Sequence, residues 1–501
     1  MDILASLGAG FAVALTPTNL LYCLLGALVG TAIGVLPGLG PPATIALLLP
    51  VTYGMPSTSA VILLAGIFYG AMYGGSTTSI LLNIPGEAAS VVTCLDGYEM
   101  ARQGRAGAAL AVAAIGSFVA GTVSIVGLML LAPPLAEFAL KFGAPENTAL
   151  LVLGLMMIGY LGGGSIAKAL VMAVIGLLLG TVGLDPIMGS PRFTYGFFKL
   201  SEGFEFILVA MGLFGIGEVL ANYERTAAPE VLRTKIAGRL GTREDWRAAR
   251  GPLARGSLFG FLIGVLPGGG ATIASFLTYA VEKRLSRHPE RFGRGAVEGV
   301  AGPEAANNAA ATSSFIPLLT LGIPGNASIA LIFAALLIQG IRPGPLLVTE
   351  QPQVFWGLVA SMYVGNVTLL VLNLPLIQLW VRLLHVPYRL LGPLIVMFVL
   401  VGAYSVNNNT VDVAIVVAFG ALGWLFRRAG FEPAPLVLAM ILGPQLEASL
   451  RRSLIYSHGS FAVFVERPIA AGLLAVAGLM VLLPVARWLV ARRPWAAAAP
   501  A

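Results

Sequence analysis

The chain is 501 residues long, 57% hydrophobic and 11% charged, with a formal net charge of +7 and a mean hydropathy of +0.88. A soluble domain carries about 25% charged residues, so this composition excludes a soluble globular protein and defines an integral membrane protein. The positive balance does not point to nucleic acid, because the basic residues fall in short loops between apolar stretches, as in the cytoplasmic loops of membrane proteins.

The chain opens MDILASLGAG, with Asp2 and no Lys or Arg, and so lacks the basic n-region of a secretory signal peptide. Apolar windows long enough to cross a bilayer are predicted at about 17–36, 58–75, 106–132, 146–164, 166–184, 204–222, 326–341, 353–381, 389–404, 410–426 and 468–492. The expected fold class is an all-α polytopic membrane protein of about 10–12 transmembrane helices. Cys23 and Cys94 lie in apolar or membrane-proximal sequence, which argues against a disulfide framework.

The first window runs into GVLPGLGPPATIALLLP, residues 34–50, where Pro37, Gly38, Gly40, Pro41 and Pro42 interrupt an apolar run. No Lys or Arg precedes Arg102. The longest hydrophilic stretch holds Arg225, Arg233, Lys235, Arg239, Arg243, Arg247, Arg250 and Arg255. It divides the chain into a first half (1–222), a basic cytoplasmic linker (223–255) and a second half with C-terminal helices (256–501). A second basic cluster comprises Lys283, Arg284, Arg287, Arg291 and Arg294. Both clusters are expected in the cytoplasm. The segment between them, 256–282, then enters the membrane, turns at Pro267–Gly270 and returns. A single kinked span and a membrane-surface helix are the alternatives.

Two phrases recur in the same order. Gly34-Val35-Leu36-Pro37-Gly38 matches Gly264-Val265-Leu266-Pro267-Gly268, and Ala43-Thr44-Ile45-Ala46 matches Ala271-Thr272-Ile273-Ala274. Ile84-Pro85-Gly86 matches Ile323-Pro324-Gly325, each after a Ser/Thr-rich patch. The offsets of 230 and 239 residues agree within a short insertion. Positive charge falls between the phrases in the second half but after them in the first, which predicts two repeats inverted across the membrane plane.

Breaks inside apolar segments free backbone N–H and C=O groups, which survive only when buried in protein or lining a wet cavity. Paired breaks in matching places of two halves point to a transporter's binding site, and a half-helix N-terminus suits an anion. The substrate candidates are Pro37, Gly38, Gly40 and Thr44 at the first break, Ser76, Thr77 and Thr78 before the second, and Gly268, Gly269, Gly270 and Thr272 at the third. In GPEAANNAAATSS, residues 302–314, Glu304, Asn307, Asn308 and Thr312 share one helical face, followed by Ser313 and Ser314. That face suits an ion or a carboxylate ligand if turned inward; a helix lying at the interface with its polar face in water is the alternative. Asn83, Glu304 and Asn326 are candidates to hold a coupling Na+ or proton, and Asn326 also fits a helix N-cap. Glu87 is open to capping, Na+ binding or proton carriage.

Catalytic chemistry is poorly represented. There is no Walker A, HExxH or Cys-pair metal sequence, and the histidines are His288, His385 and His458. His458 with Ser457 or Ser460 is a dyad without an acid of known geometry. The expectation is that the chain is not an enzyme.

GVLPGLGPPATIALLLPVTY, YGGSTTSILLNIPGEAASVVTCLDGY and GPEAANNAAATSSFIPLLTLGIPGNASIALI together resemble the large membrane subunit of the tripartite tricarboxylate transporters. The resemblance extends over essentially the whole chain. It implies a multi-pass secondary transporter of the bacterial inner membrane, with uptake of citrate or another carboxylate driven by a Na+ or H+ gradient. It implies two partners, a small four-helix membrane subunit and a periplasmic substrate-binding protein, and no cofactor beyond a coupling ion such as Na+. A passive anion channel built on the same half-helices and an intramembrane enzyme acting on a lipid carrier are the rival readings.

Overall fold

A computed structural model describes residues 2–36, 40–161, 165–185, 188–224, 240–266, 270–383 and 388–491. The first repeat begins after a short helix, α1 (Ile3–Ala14), whose first N–H groups at Leu4 and Ala5 are accepted by Asp2. It comprises α2 (Pro17–Val35), α3 (Pro41–Leu48) and α4 (Ser57–Leu82). Proline opens α2 and α3, at a position where the missing N–H leaves no bond unmade. Short helical turns over 88–102 lead to α5 (Ala106–Ala139), α6 (Ala144–Leu161) and α7 (Ile166–Gly180). A small hairpin, β1 (Gly183–Leu184) and β2 (Pro191–Arg192), precedes α8 (Phe206–Tyr223).

The second repeat comprises α9 (Arg243–Val265), α10 (Gly270–Leu285), α11 (Glu298–Ser313), α12 (Phe315–Leu321) and α13 (Ala327–Ile338). The longer of the remaining helices are α14 (Pro352–Asn373), α15 (Ile377–Leu383), α16 (Tyr388–Asn407), α17 (Thr410–Arg428), α18 (Ala434–Tyr456) and α19 (Pro468–Ala491). Among the described residues, 7 helices are long and apolar enough to cross a membrane. The protein is an all-α polytopic membrane protein, as its composition requires.

Three differences from the sequence reading have physical causes. The window 353–381 divides into α14 and α15 around Pro375, which has no N–H to continue the helix. The helix α18 was hidden because Glu447 and Arg451 lower its hydropathy. In the folded protein these charges pair with each other at 2.7 Å, and Glu447 also pairs with Arg192 at 2.8 Å. The expected linker 223–255 is not all linker. Residues 225–239 lie outside the described residues, but α9 starts at Arg243, so the last part of the basic stretch is helix. Its start is a capping box in which the Thr242 hydroxyl accepts from Asp245 N–H and the Asp245 carboxylate accepts from Thr242 N–H.

The segment 256–282 does turn back. Arg255 and Glu282, on opposite sides of the break, form a two-pronged pair with Nε–Oε1 at 2.7 Å and Nη2–Oε2 at 2.5 Å. The middle of α9 and the end of α10 therefore lie side by side.

Each repeat is built on one helix contact. In the first, Gly26, Gly30 and Gly34 of α2 press so closely on α4 that a Cβ would overlap the carbonyl oxygens of Leu63, Ile67 and Ala71. In the second, Gly256, Gly260 and Gly264 of α9 press likewise on Gly302, Ala306 and Ala310 of α11. These partners stand at the same offsets, 230 and 239, as the repeated sequence phrases. Small residues allow such backbone approach, which drives helix pairing where lipid offers no hydrophobic gain.

The repeats meet head to tail. Gln103 and Arg105, after the long helix of the first repeat, donate to Arg294 O and Gly295 O, between α10 and α11 of the second. Conversely, Gln339, after α13 of the second repeat, donates to Thr52 O and pairs with Ser57, between α3 and α4 of the first. In a parallel duplication, like loops would lie together. Here the exit of each repeat meets the middle loop of the other, which is the geometry of inverted repeats.

Candidate functional site

The polar centre forms where α11 crosses α4 and α5. Residues Gly299–Ser313 of α11 are all buried, so its polar stripe faces protein and not water. The face predicted from helical spacing is intact. The Glu304 carboxylate, 0% exposed, accepts the Ser76 hydroxyl from α4 at 2.5 Å, the Asn307 carboxamide at 3.3 Å and the Thr93 hydroxyl. Asn308 donates to Ser117 Oγ of α5 at 2.7 Å, to Glu304 O at 3.1 Å and to Asn307 Oδ1. The Asn308 Oδ1 atom is buried without a partner.

Beside this cluster lies a small cavity of about 10 Å³, lined by Tyr73, Ser76 and Thr77 of α4, Ser117 of α5 and Asn373 of α14, among others. That space holds about one water. An organic acid of several carbons is far larger than this space. Tyr73 donates to Asn366 Oδ1 at 2.6 Å, and Asn366 donates to Phe118 O at 2.8 Å, tying α4, α14 and α5 into one wall. A larger cavity of about 360 Å³ between α7, α17 and α18 is lined by Phe204, Phe419, Leu436 and other apolar groups, and offers an anion nothing.

The remaining predicted residues divide by what their polar atoms do. Pro37, Gly38, Gly268 and Gly269 lie outside the described residues. Gly40 N–H donates to Glu218 Oε1 of α8 at 3.2 Å, and Thr44 donates to Gly40 O. Glu218 in turn lies 3.6 Å from Arg427 of α17. The half-helix N-terminus therefore does hold a carboxylate, but one supplied by the protein, with an arginine behind it. Arg427 is remote in the chain and sits at the end of another span, so no sequence phrase links it to this break. Thr78 donates to Val35 O at 2.9 Å, while Ser313 and Ser314 bond carbonyls of their own helix. Thr312 is buried one turn beyond Asn308, Gly270 opens α10 at a φ of +51°, and Thr272 is part-exposed in the first turn of α10.

Asn83, Glu304 and Asn326 are not joined by hydrogen bonds. Asn83 ends α4 in the left-handed region at φ 57°, matched by Gly322 at φ 70° after α12. Four residues later in each repeat, Glu87 and Asn326 are N-caps that accept from Ala89 N–H and Ile329 N–H. The two Ile-Pro-Gly breaks thus share one backbone design, and Asn326 takes the capping role open to it in sequence.

Several contributors carried no recognisable signal. Thr93 and Ser117 are ordinary hydroxyls until folding brings them to Glu304 and Asn308. Asp96, buried in the same short turns as Thr93, accepts the N–H groups of Gly293, Gly295 and Ala296 at 2.8–2.9 Å and the Tyr279 hydroxyl at 2.9 Å. It fastens the first repeat to the basic loop of the second. At the proposed dyad, Ser457 donates to Ser460 O and Ser460 Oγ accepts from Ala462 N–H, and among the described residues no hydrogen bond joins either hydroxyl to His458. Cys23 and Cys94 are free thiols.

Inverted repeats with matched helix breaks, closing around a buried polar cluster, are the architecture of a multi-pass membrane transporter. The particular family follows from comparison with known proteins: the sequence profile of the tripartite tricarboxylate transporter TctA family matches residues 20–438, and the chain belongs to that family. It is therefore a transporter subunit of a system with further subunits. It is 55% identical over 476 residues, 95% of both chains, to an uncharacterised 52.8 kDa protein of the TAR-I ttuC' 3' region of Agrobacterium vitis. It is also 57% identical over 224 residues, 45% of this chain and 93% of the other, to an uncharacterised protein of the TAR-II ttuC' 3' region of that organism. No solved structure matches.

Proposed function

We propose that this chain is the translocating subunit of a bacterial inner-membrane system that imports tricarboxylates or related organic acid anions, coupled to a Na+ or H+ gradient. A periplasmic binding protein delivers the substrate and a small four-helix subunit completes the membrane complex. The observation that carries the reading is the Glu304–Asn308 face. It is wholly buried where the two inverted repeats meet and adjoins a cavity lined by hydroxyls and carboxamides.

Ser76, Thr77, Asn307 and Asn308 supply the neutral donors that a carboxylate needs, and the cavity widens around the substrate when the repeats move apart. Gly40 and Thr44 form a second contact, where a substrate carboxylate takes the N–H now given to Glu218 while Arg427 holds the displaced Glu218. Gly270 and Thr272 are its counterparts in the other repeat. Asn83, Glu304 and Asn326 remain the cation-side candidates. With basic loops in the cytoplasm, the Arg105–Gly295 contact marks the inner face and the Gln339–Thr52 contact the outer.

The test is uptake of radiolabelled citrate, succinate and tartrate by proteoliposomes holding both membrane subunits, with the binding protein outside and Na+ or pH gradients imposed separately. Saturable, gradient-dependent accumulation of one acid is expected. Flux that neither saturates nor responds to either gradient would favour a channel and end the symport reading.

A further inference from the structure

We propose that Glu304 carries the coupling proton, exchanging it through the Ser76 hydroxyl with the cavity where the substrate sits. The inference rests on the transport reading above and assigns the ion and its carrier.

Glu304 is fully buried, and its bonding partners are all neutral: the hydroxyls of Ser76 and Thr93 and the carboxamide of Asn307. A carboxylate in such a place needs a compensating positive charge or a proton. Among the described residues no Lys, Arg or His pairs with it. Two features favour the proton over a metal cation.

The first is the direction of the amides. Asn308 Nδ2 donates to the backbone carbonyl of Glu304, which can only accept, so the orientation of this carboxamide is settled. The same nitrogen meets Asn307 Oδ1, and this turns the Asn307 NH2 group toward Glu304 Oε2. The Asn307 N–H, a dipole of the wrong sign for a cation, therefore faces the carboxylate, and the other two partners are hydroxyls that donate to it.

The second is the Ser76 hydroxyl, which has two acceptors in reach: Glu304 Oε2 at 2.5 Å and Met72 O at 3.3 Å. When Glu304 is ionised, Ser76 donates to it. When Glu304 is protonated, its O–H donates to Ser76 Oγ and the serine proton rotates to Met72 O. Both states are hydrogen-bonded with no heavy atom displaced. Ser76 also lines the cavity, so a water there is the immediate proton source or sink.

Other ionisable groups share these surroundings, among them a second buried carboxyl, Glu87, whose Oε1 has no hydrogen-bond partner among the described residues. α4 presents Tyr73, and the turns over 87–98 present Glu87, Cys94 and Asp96, the last bonded to three N–H groups and Tyr279 of α10. Arg255 of α9 and Glu282 of α10 lie near Gly302 but neutralise each other. On α11 itself the other acid is Glu298, at its first residue; α12 has no charged residue, and the only charge on α5, Glu137, is about five turns beyond Ser117. The step is one proton from external water added to the Glu304 carboxylate, then released to cytoplasmic water after the repeats have moved. Neutral Glu304 admits a polyanion to the adjoining cavity; ionised Glu304 repels it. That difference couples the two movements.

The experiment uses the complete complex in proteoliposomes with citrate, succinate or tartrate, whichever the wild type moves. Two readouts are compared: accumulation driven by a pH gradient, and exchange against the same acid loaded inside. In Glu304→Gln, gradient-driven accumulation is expected to fall at least tenfold while exchange falls much less. Ser76→Ala, a milder change, is expected to move the pH at which uptake is half-maximal. Accumulation by Glu304→Gln equal to wild type, or an unmoved pH profile in Ser76→Ala, would overturn the assignment. Wild-type accumulation that follows Na+ and ignores pH would overturn it while leaving the transport reading intact. Failure of the wild type to move any of the three acids would instead reject the transport reading.

Discussion

Gly260→Ala tests the helix contact on which the site is mounted. A Cβ at Gly260 would stand 2.7 Å from Ala306 Cα and 2.8 Å from its carbonyl carbon, and would also overlap its oxygen. Carbon atoms prefer about 3.5–4.0 Å, and all three obstacles are backbone, so no side chain can swing away. α9 and α11 must separate by about 1 Å. Overpacking of this kind costs roughly 1–3 kcal/mol. Gly472 on α19 is the control, because a Cβ there meets nothing within 4 Å; Gly→Ala at such a helical site gains up to about 1 kcal/mol. Both are helical Gly→Ala changes, so that gain cancels, and the two variants should differ by roughly 1–3 kcal/mol, measured as thermal unfolding of the purified protein in detergent. Ala306 adjoins Asn307, so the same shift should also weaken uptake. A Gly260→Ala protein as stable as Gly472→Ala would refute the close contact and, with it, the repeat geometry.

Other outcomes follow from the same structure. Arg255→Ala leaves Glu282, 2% exposed, without its partner; unfolding should show a loss near the low end of the roughly 3–5 kcal/mol typical of a broken buried pair, because Arg255 is itself partly exposed. Replacing both residues with apolar ones should restore most of it. Asn326→Ala removes the cap of α13 and should cost about 1 kcal/mol, read by the same melt. Asn308→Ala should abolish gradient-coupled uptake while surface labelling shows normal insertion; full transport would remove Asn308 from the site. Burial alone would raise the pKa of Asp245, but the N–H and hydroxyl of Thr242 and the Arg105 guanidinium outweigh it and hold it below the usual value. Its stabilisation is therefore present above the ordinary carboxylate range and is lost as pH falls through the lowered value. Asp245→Asn should lower the melting temperature at pH 7, and the gap should close below about pH 4.

Much of the fold was legible because lipid imposes simple rules. Long apolar windows had to become helices, and the repeated Gly/Pro phrases marked where they break. The stripe Glu304, Asn307 and Asn308 was readable from helical spacing alone. Charge placement even revealed that the halves are inverted, since basic loops are kept to one side. The ion-pairing helix α18 was not readable, because hydropathy averages away charges that the fold pairs.

Composition and period thus determined the class of protein, its duplicated design and one face of its centre. These are local properties, set by how each segment meets lipid and by its own helical period. Tertiary structure alone decided that Thr93, Ser76 and Ser117 complete that centre, that Asp96 fastens one repeat to the other, and that Glu218 with Arg427 occupies the first broken helix. These contacts join residues far apart in the chain, and their hydroxyls and charges acquire meaning only from the atoms packed against them.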